Sequence, residues 1–257
     1  MAEVVLVASP EEAGIVAASY IHALIDAKPD AVLGFATGST PLTTYSAVAA
    51  LKLDLSAVRG FALDEYVGLP ADHPESYRSV ITREVVEPLG LTPSLVRVPG
   101  DDGLPLRGAG ERYEDDIVAA GGIDLQLLGI GRTGHIGFNE PGSSLASLTR
   151  VKTLAQKTIA DNARFFDSIG EVPKHCITQG LGTILRARHL VLLAFGEGKA
   201  EAIAAALEGP VTSSIPGSVV QLHPHVTVIV DEAAGSKLVN AEYYRHAWES
   251  RFDWEKP

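Results

Sequence analysis

The sequence predicts an α/β fold: one domain built on a mostly parallel central sheet of about seven strands, with helices on both faces. Seven apolar runs, near residues 3–8, 31–36, 58–63, 95–98, 123–129, 189–195 and 225–231, alternate with longer amphipathic stretches. Several of these runs, such as Leu190-Val191-Leu192-Leu193 and Val226-Thr227-Val228-Ile229-Val230, are apolar on both faces, as strands covered on both sides must be. The 257 residues are 46% hydrophobic and 21% charged, which suits a packed core and excludes a disordered chain.

Taken in chain order, the first helix is signalled by Ser9 as N-cap, Pro10 at the first helical position and Glu12 completing a capping box. Ile15, Val16, Tyr20, Ile21, Leu24 and Ile25 form its expected apolar stripe. The second run leads into Thr37-Gly38-Ser39-Thr40-Pro41, read as a turn with Thr40 capping a helix that starts at Pro41. The third run ends at Leu63 and is followed at once by Asp64-Glu65-Tyr66. The Gly/Pro-rich stretch from Pro99 to Gly110 reads as a surface loop, because the alternation resumes after it. The fifth run opens into Gly129-Ile130-Gly131-Arg132-Thr133-Gly134-His135-Ile136-Gly137-Phe138-Asn139-Glu140-Pro141. Residues after 232 read as one terminal helix whose Tyr243, Tyr244 and Trp248 dock it.

Composition also excludes function classes. No apolar run approaches the roughly 20 residues needed to span a bilayer, and acidic Glu3, Glu11 and Glu12 stand where a signal peptide would be basic. The expectation is a cytoplasmic protein without membrane contact. A net charge of −11 disfavours nucleic acid as a partner and requires any phosphate ligand to be held by local cations. Cys176 is the only cysteine, so it forms neither an internal disulfide nor a thiolate metal cluster, and it reads as core. No His/Glu or Cys/His set has metal-ligand spacing, and His223 and His225 read as ordinary loop residues, so no metal or cofactor is expected.

Ligands of such sheets sit outside the carboxyl ends of the strands, which singles out three loops. In Thr37-Gly38-Ser39-Thr40, small residues let backbone N–H groups approach a phosphate at a helix N-terminus, although the Gly-Lys-Ser/Thr of a nucleotide P-loop is lacking and a plain N-cap turn reads equally well. Asp64 suits a general base on a carbon-bound proton, although read alone it fits a turn or cap residue better. In the third loop four glycines surround His135 and Glu140, a pairing suited to reversible proton transfer to a sugar ring oxygen. Gly129, Gly131 and Gly134 have the spacing of a dinucleotide fingerprint, but no acidic residue follows at the point where the ribose would need one.

Taken together, GFATGSTPLTTY (34–45), LDEYVGLPADHPESY (63–77), GIGRTGHIGFNEP (129–141), SSLASLTRVKTL (143–154), ARFFDSIGEVPKHCITQGLGTIL (163–185) and LHPHVTVIVDE resemble the glucosamine-6-phosphate deaminase family, the glucosamine/galactosamine-6-phosphate isomerases, over almost the whole chain. The resemblance implies a Rossmann-like fold and a metal-free amino-sugar-phosphate isomerase/deaminase of the hydrolase class, opening the sugar, isomerising it and releasing ammonia. It implies Asp64 as the base, His135 as the ring-opening proton shuttle and Glu140 as its partner. It implies phosphate held by the loop of Thr37, Gly38, Ser39 and Thr40 with Arg164 and Lys199.

Thr133 departs from the family, where many members have Asp and another branch Asn; a hydroxyl can orient His135 but supplies no charge. Ser143, Arg150, Lys152 and Thr153, with Tyr244 from a neighbouring copy, match an effector site for N-acetylglucosamine 6-phosphate in hexameric members. A homo-oligomer, up to a hexamer, and a mobile lid around residues 150–180 are further expectations. Two other readings stand beside the deaminase: a 6-phosphogluconolactonase-like hydrolase, and a catalytically weak sugar-phosphate sensor.

Overall fold

A computed structural model describes residues 2–70 and 72–257. In chain order the first elements are β1 (Ala2–Val7), α1 (Pro10–Ala27), β2 (Val32–Phe35), α2 (Leu42–Leu51), β3 (Arg59–Ala62), β4 (Asp64–Val67), α3 (Tyr77–Ile81), α4 (Glu87–Leu89) and β5 (Val96–Arg97). Then come α5 (Ala109–Ala119), β6 (Leu125–Gly129), β7 (Arg150–Thr153), α6 (Gln156–Asn162), β8 (His175–Thr178), α7 (Leu181–Ile184), β9 (His189–Ala194), α8 (Ala200–Leu207), β10 (Val226–Asp231) and α9 (Ala241–Glu249).

The seven apolar runs become one parallel sheet in the order β1-β10-β9-β6-β2-β3-β5. Alternate residues of each strand feed two separate cores. Leu190, Leu192, Val226 and Val228 pack on one face, and Val191, Leu193, Leu33 and Ile229 on the other. This is why those strands carry apolar residues on both faces rather than at every second position alone.

Helix α1 begins as its capping signals require. The Ser9 hydroxyl accepts from the Glu12 N–H at 3.2 Å, and the Glu12 carboxylate accepts from the Ala8 N–H at 2.8 Å. Its buried face differs from the expected stripe. Ala13, Gly14, Ala17, Ala18, Ile21 and Ile25 are buried, whereas Ile15 is 65% exposed. Close packing against α2 explains the difference, because a Cβ on Gly14 would lie 2.5 Å from the Thr43 carbonyl oxygen, so the contact face is built of small residues.

A second correction concerns the start of α2. The helix opens at Leu42 after Pro41, and no side chain caps it, so Thr40 is not its N-cap. Gly38, at φ +85°, turns the chain instead, in a conformation that L side chains rarely adopt. The loop before α2 therefore brings an uncapped helix N-terminus to the strand end.

A second, antiparallel sheet with order β4-β8-β7 was not foreseen. Its strands are short, and β7 alternates half-buried with exposed residues, so neither carries a continuous apolar signal. The small sheet sits on the rim where β3 ends, since β4 follows β3 after Leu63 alone. Cys176 is fully buried in β8, as expected of a core residue. Among the described residues, no helix is long and apolar enough to cross a membrane.

Candidate active site

Because the main strands are parallel, their carboxyl ends share one rim, and the loops leaving β2, β3, β6 and β9 converge there. They enclose a cavity of about 490 Å³ whose wall includes Thr37, Gly38, Ser39, Thr40, Asp64, His135, Arg164 and Lys199. Every residue expected to touch the sugar or its phosphate, from five separate stretches of chain, therefore faces one space. Thr133 and Glu140 stand behind His135.

Asp64 is the first residue of β4, paired in register with Thr178, rather than a turn residue after β3. Its side chain is almost fully buried. Burial pushes its carboxyl up to about 8, the neighbouring Glu65 charge adds to the effect, and the Phe138 backbone N–H opposes it. Gly137, at φ +52°, keeps the far side clear, because a Cβ there would stand 3.5 Å from Asp64 Oδ2 and 3.0 Å from Thr178 Oγ1.

Glu65, which sequence reasoning passed over, fixes the neighbouring wall. Its Oε1 accepts from the backbone N–H of Tyr66 at 2.6 Å and of Tyr77 at 2.9 Å, and its Oε2 from that of Arg78 at 2.8 Å. These bonds hold the start of α3, and with it Tyr77, whose ring lines the cavity and stacks on Phe138.

The imidazole of His135 lies flat on the Gly131 backbone, where a Cβ would come within 2.1 Å of the ring. The loop is closed by Gly131 N–H donating to the His135 carbonyl at 2.9 Å and Gly134 N–H donating to the Gly131 carbonyl at 2.9 Å. The glycine density of this segment thus has a concrete cause. Thr133 Oγ1 lies 2.8 Å from His135 Nδ1, and Glu140 Oε2 lies 3.5 Å from the same nitrogen. With Nδ1 occupied by these two groups, Nε2 is left for chemistry.

Glu140 is buried, and Thr158 of α6 donates a short hydrogen bond to its Oε1. Burial works against its charge, but the facing His135 imidazole and the Thr158 hydroxyl outweigh it, so its carboxyl sits below the usual value.

Opposite, Lys199 sits just before α8 and donates to the Ile130 carbonyl at 2.6 Å. Burial lowers its proton affinity, and nearby Arg132 and Arg164 lower it further while Asp161 raises it. Arg164 lies with its guanidinium carbon 4.7 Å from the centre of the Phe165 ring. These cations, with the N–H-rich loop before α2, form an anion pocket in a protein of net charge −11.

Helix α6 adds residues that no sequence signal revealed. Thr158 and Asp161 line the cavity, and Asn162 donates to the Tyr66 hydroxyl at 2.8 Å. Arg132 lies inside the Gly-rich motif, yet read alone it is indistinguishable from a solvated surface charge. The remaining expected residues lie outside the cavity. Arg150 donates to Asn139 Oδ1 at 2.8 Å and shares β7 with Lys152 and Thr153. Ser143 is buried with its hydroxyl unpartnered, and Tyr244 on α9 donates to Glu208 at 3.0 Å.

The family model of glucosamine-6-phosphate isomerases/6-phosphogluconolactonase matches residues 10–229. A glucosamine-6-phosphate deaminase of Bifidobacterium longum is 58% identical, covering 99% of both chains. One from Streptomyces avermitilis is 57% identical over 98% of this chain and 99% of its own. Among solved structures, a monomeric glucosamine-6-phosphate deaminase superposes with a TM-score of 0.88 at 41% identity, covering 91% of this chain and 99% of that one. The 6-phosphogluconolactonase of Trypanosoma cruzi shares the fold, with a TM-score of 0.74 over 93% of this chain and 97% of its own, at 22% identity.

Proposed function

Since the chain belongs to the family of glucosamine-6-phosphate isomerases and 6-phosphogluconolactonases, we propose that it is a glucosamine-6-phosphate deaminase, converting glucosamine 6-phosphate and water to fructose 6-phosphate and ammonia. The observation that carries this reading is the shared cavity, in which a buried carboxyl, an imidazole and a cationic phosphate pocket face one space of about 490 Å³. The high identity to curated deaminases supports it, whereas the lactonase structures carry only the fold.

The residues divide the work as follows. The loop from Thr37 to Thr40, with Arg164 and Lys199, anchors the phosphate and so fixes the sugar's position. His135, held by Thr133 and Glu140, returns a proton to the ring oxygen as the ring opens. Ionised Asp64 takes the proton from C2 and delivers it to C1, passing through an enolamine. Water then adds at C2 and the C–N bond breaks, releasing ammonia. Since water is consumed in cleaving that bond, the enzyme falls in the hydrolase class.

Further parts of this reading are working in the cytoplasm, activation by N-acetylglucosamine 6-phosphate at Ser143, Arg150, Lys152 and Thr153 with a neighbour's Tyr244, assembly into a homo-oligomer, and a lid formed by residues 150–180. Arg150 supports coupling to the site, because it holds Asn139 in the His135 loop. Sedimentation of the protein, with and without that acetylated sugar phosphate, tests assembly and effector together.

The central test follows ammonia and fructose 6-phosphate from glucosamine 6-phosphate. Asp64→Asn should lower kcat by about 10²- to 10⁴-fold, the range for a general base. Undiminished turnover by that variant, or hydrolysis of 6-phosphogluconolactone with no ammonia released from the amino sugar, would overturn the assignment.

A further inference from the structure

Three cations line the phosphate side of the cavity, and they are held in different ways. Lys199 is tied to the Ile130 carbonyl, and Arg164 lies near the Phe165 ring. Arg132 is bound to a carboxylate, its Nη2 lying 3.3 Å from Asp161 Oδ1. Asp161 also lines the cavity, and its charge is felt by Lys199, so it sits in the joint field of the cations. A carboxylate in that place repels an arriving phosphate unless it gives way. The pair is a single contact between half-exposed side chains, which holds weakly in water. A phosphate dianion offers the guanidinium two parallel bonds and twice the charge.

We propose that Arg132 is a third phosphate-binding cation and that Asp161 is a resident anion which the substrate's phosphate displaces from it. This rests on the reading that a sugar phosphate occupies the cavity. It makes the pair a selectivity device. Neutral or singly charged sugars leave Arg132 with Asp161, whereas a phosphoester exchanges with the carboxylate. The backbone beneath Arg132 is fixed by the Ile130 bond to Lys199 and the Gly131 bond to His135, so the exchange requires movement of side chains alone.

The experiment measures binding of inorganic phosphate and of fructose 6-phosphate by calorimetry to the full-length wild type, Arg132→Gln and Asp161→Asn, alongside kcat and KM. Arg132→Gln should weaken phosphate about tenfold and raise KM by more than it lowers kcat, whereas Asp161→Asn should tighten phosphate about two- to fivefold. The opposite signs are diagnostic. A structural brace between the His135 loop and α6 would weaken binding in both variants, and that result, or unchanged affinity in Arg132→Gln, overturns the proposal. So does a wild type that binds no phosphate. Both side chains are half-exposed, and melting curves confirm that the variants fold. A wild type that releases no ammonia yet shows the opposite-sign phosphate effects sinks the deaminase reading and leaves this one standing.

Discussion

Replacing Glu65 by glutamine probes how the base is tuned. Asp64 is raised to about 8, first by burial and second by the Glu65 charge. A base acts only when ionised, and an Asp with a raised pKa loses that form as pH falls. With a midpoint at 8, roughly one-tenth of Asp64 is ionised at pH 7 and roughly nine-tenths at pH 9, so kcat/KM should climb about tenfold between them. Consecutive strand residues point to opposite faces, so the two carboxylates act on each other across the strand, and removing one charge should move the acid limb down by about one pH unit.

The assay is kcat/KM for glucosamine 6-phosphate from pH 6 to 9.5 in wild type and Glu65→Gln. The substrate's own amine titrates in this range, but identically for the two, so the difference between the profiles isolates Asp64. The substituted amide would present a nitrogen or lose an acceptor where the Arg78 N–H needs one, costing about 1–2 kcal/mol and a few degrees in Tm. Activity at pH 7 should nonetheless rise relative to that at pH 9. Superimposable acid limbs would show that Glu65 does not set the ionisation of the base, and a profile flat from pH 6 to 9 would remove Asp64 from that role.

Other perturbations have equally definite outcomes. Thr133→Val removes the hydroxyl 2.8 Å from His135 Nδ1 and should lower kcat about fivefold, the worth of one orienting hydrogen bond, with KM little changed, as steady-state kinetics will show. Thr158→Val leaves Glu140 Oε1 without its donor and should lower kcat by about tenfold; wild-type kcat in this variant would show that α6 does not support the His135–Glu140 pair. At the opposite rim His189 is buried, stacked 3.7 Å from His225, and burial lowers it to about 3 from 6.5, with His225 and His223 adding. Between those values the unfolded chain binds a proton that the folded one does not, so stability is complete above pH 6.5 and is lost on acidification. This amounts to about 2 kcal/mol between pH 7 and 5, read as roughly 4–8 °C in Tm, and His189→Gln should flatten that slope.

How much was legible follows from where each residue is buried. The seven main strands show plainly in sequence because both faces of the sheet are covered and its inner strands are buried at nearly every position. The strands β4, β7 and β8 do not, since they are four residues each with a partly polar face. Asp64 was singled out in the sequence but its local structure was not legible, because a strand beginning one residue after another ends looks like a turn. The loop of residues 37–40, His135, Arg164 and Lys199 were singled out through the family resemblance and line one cavity, with Glu140 behind His135. Thr158, Asp161 and Asn162 were not, because α6 is seven residues long and nothing in its polarity pattern indicates which side meets the cavity. Glu65 lies within a conspicuous string, yet its task is to satisfy three backbone N–H groups, and that depends on a helix start a dozen residues away.

The site's construction explains why those hidden residues matter. The parallel sheet supplies the phosphate loop and His135 from its rim, but Asp64 belongs to the small antiparallel sheet, through its register with Thr178. In the proposed mechanism the two sheets must therefore hold a constant distance for a proton to pass from one carbon of the sugar to the next. Several links hold it, among them the Leu63 carbonyl accepting from Gln179 N–H at 2.8 Å and Phe138 N–H donating to Thr178 Oγ1 at 3.1 Å, which joins the His135 loop to the strand beside Asp64. Helix α6 then reaches both sides, through Thr158 to Glu140 and through Asn162 to Tyr66. Asp64 and His135 are thus positioned relative to each other by buried hydrogen bonds, which in the proposed mechanism leaves the substrate's binding energy for the phosphate and for the transition state.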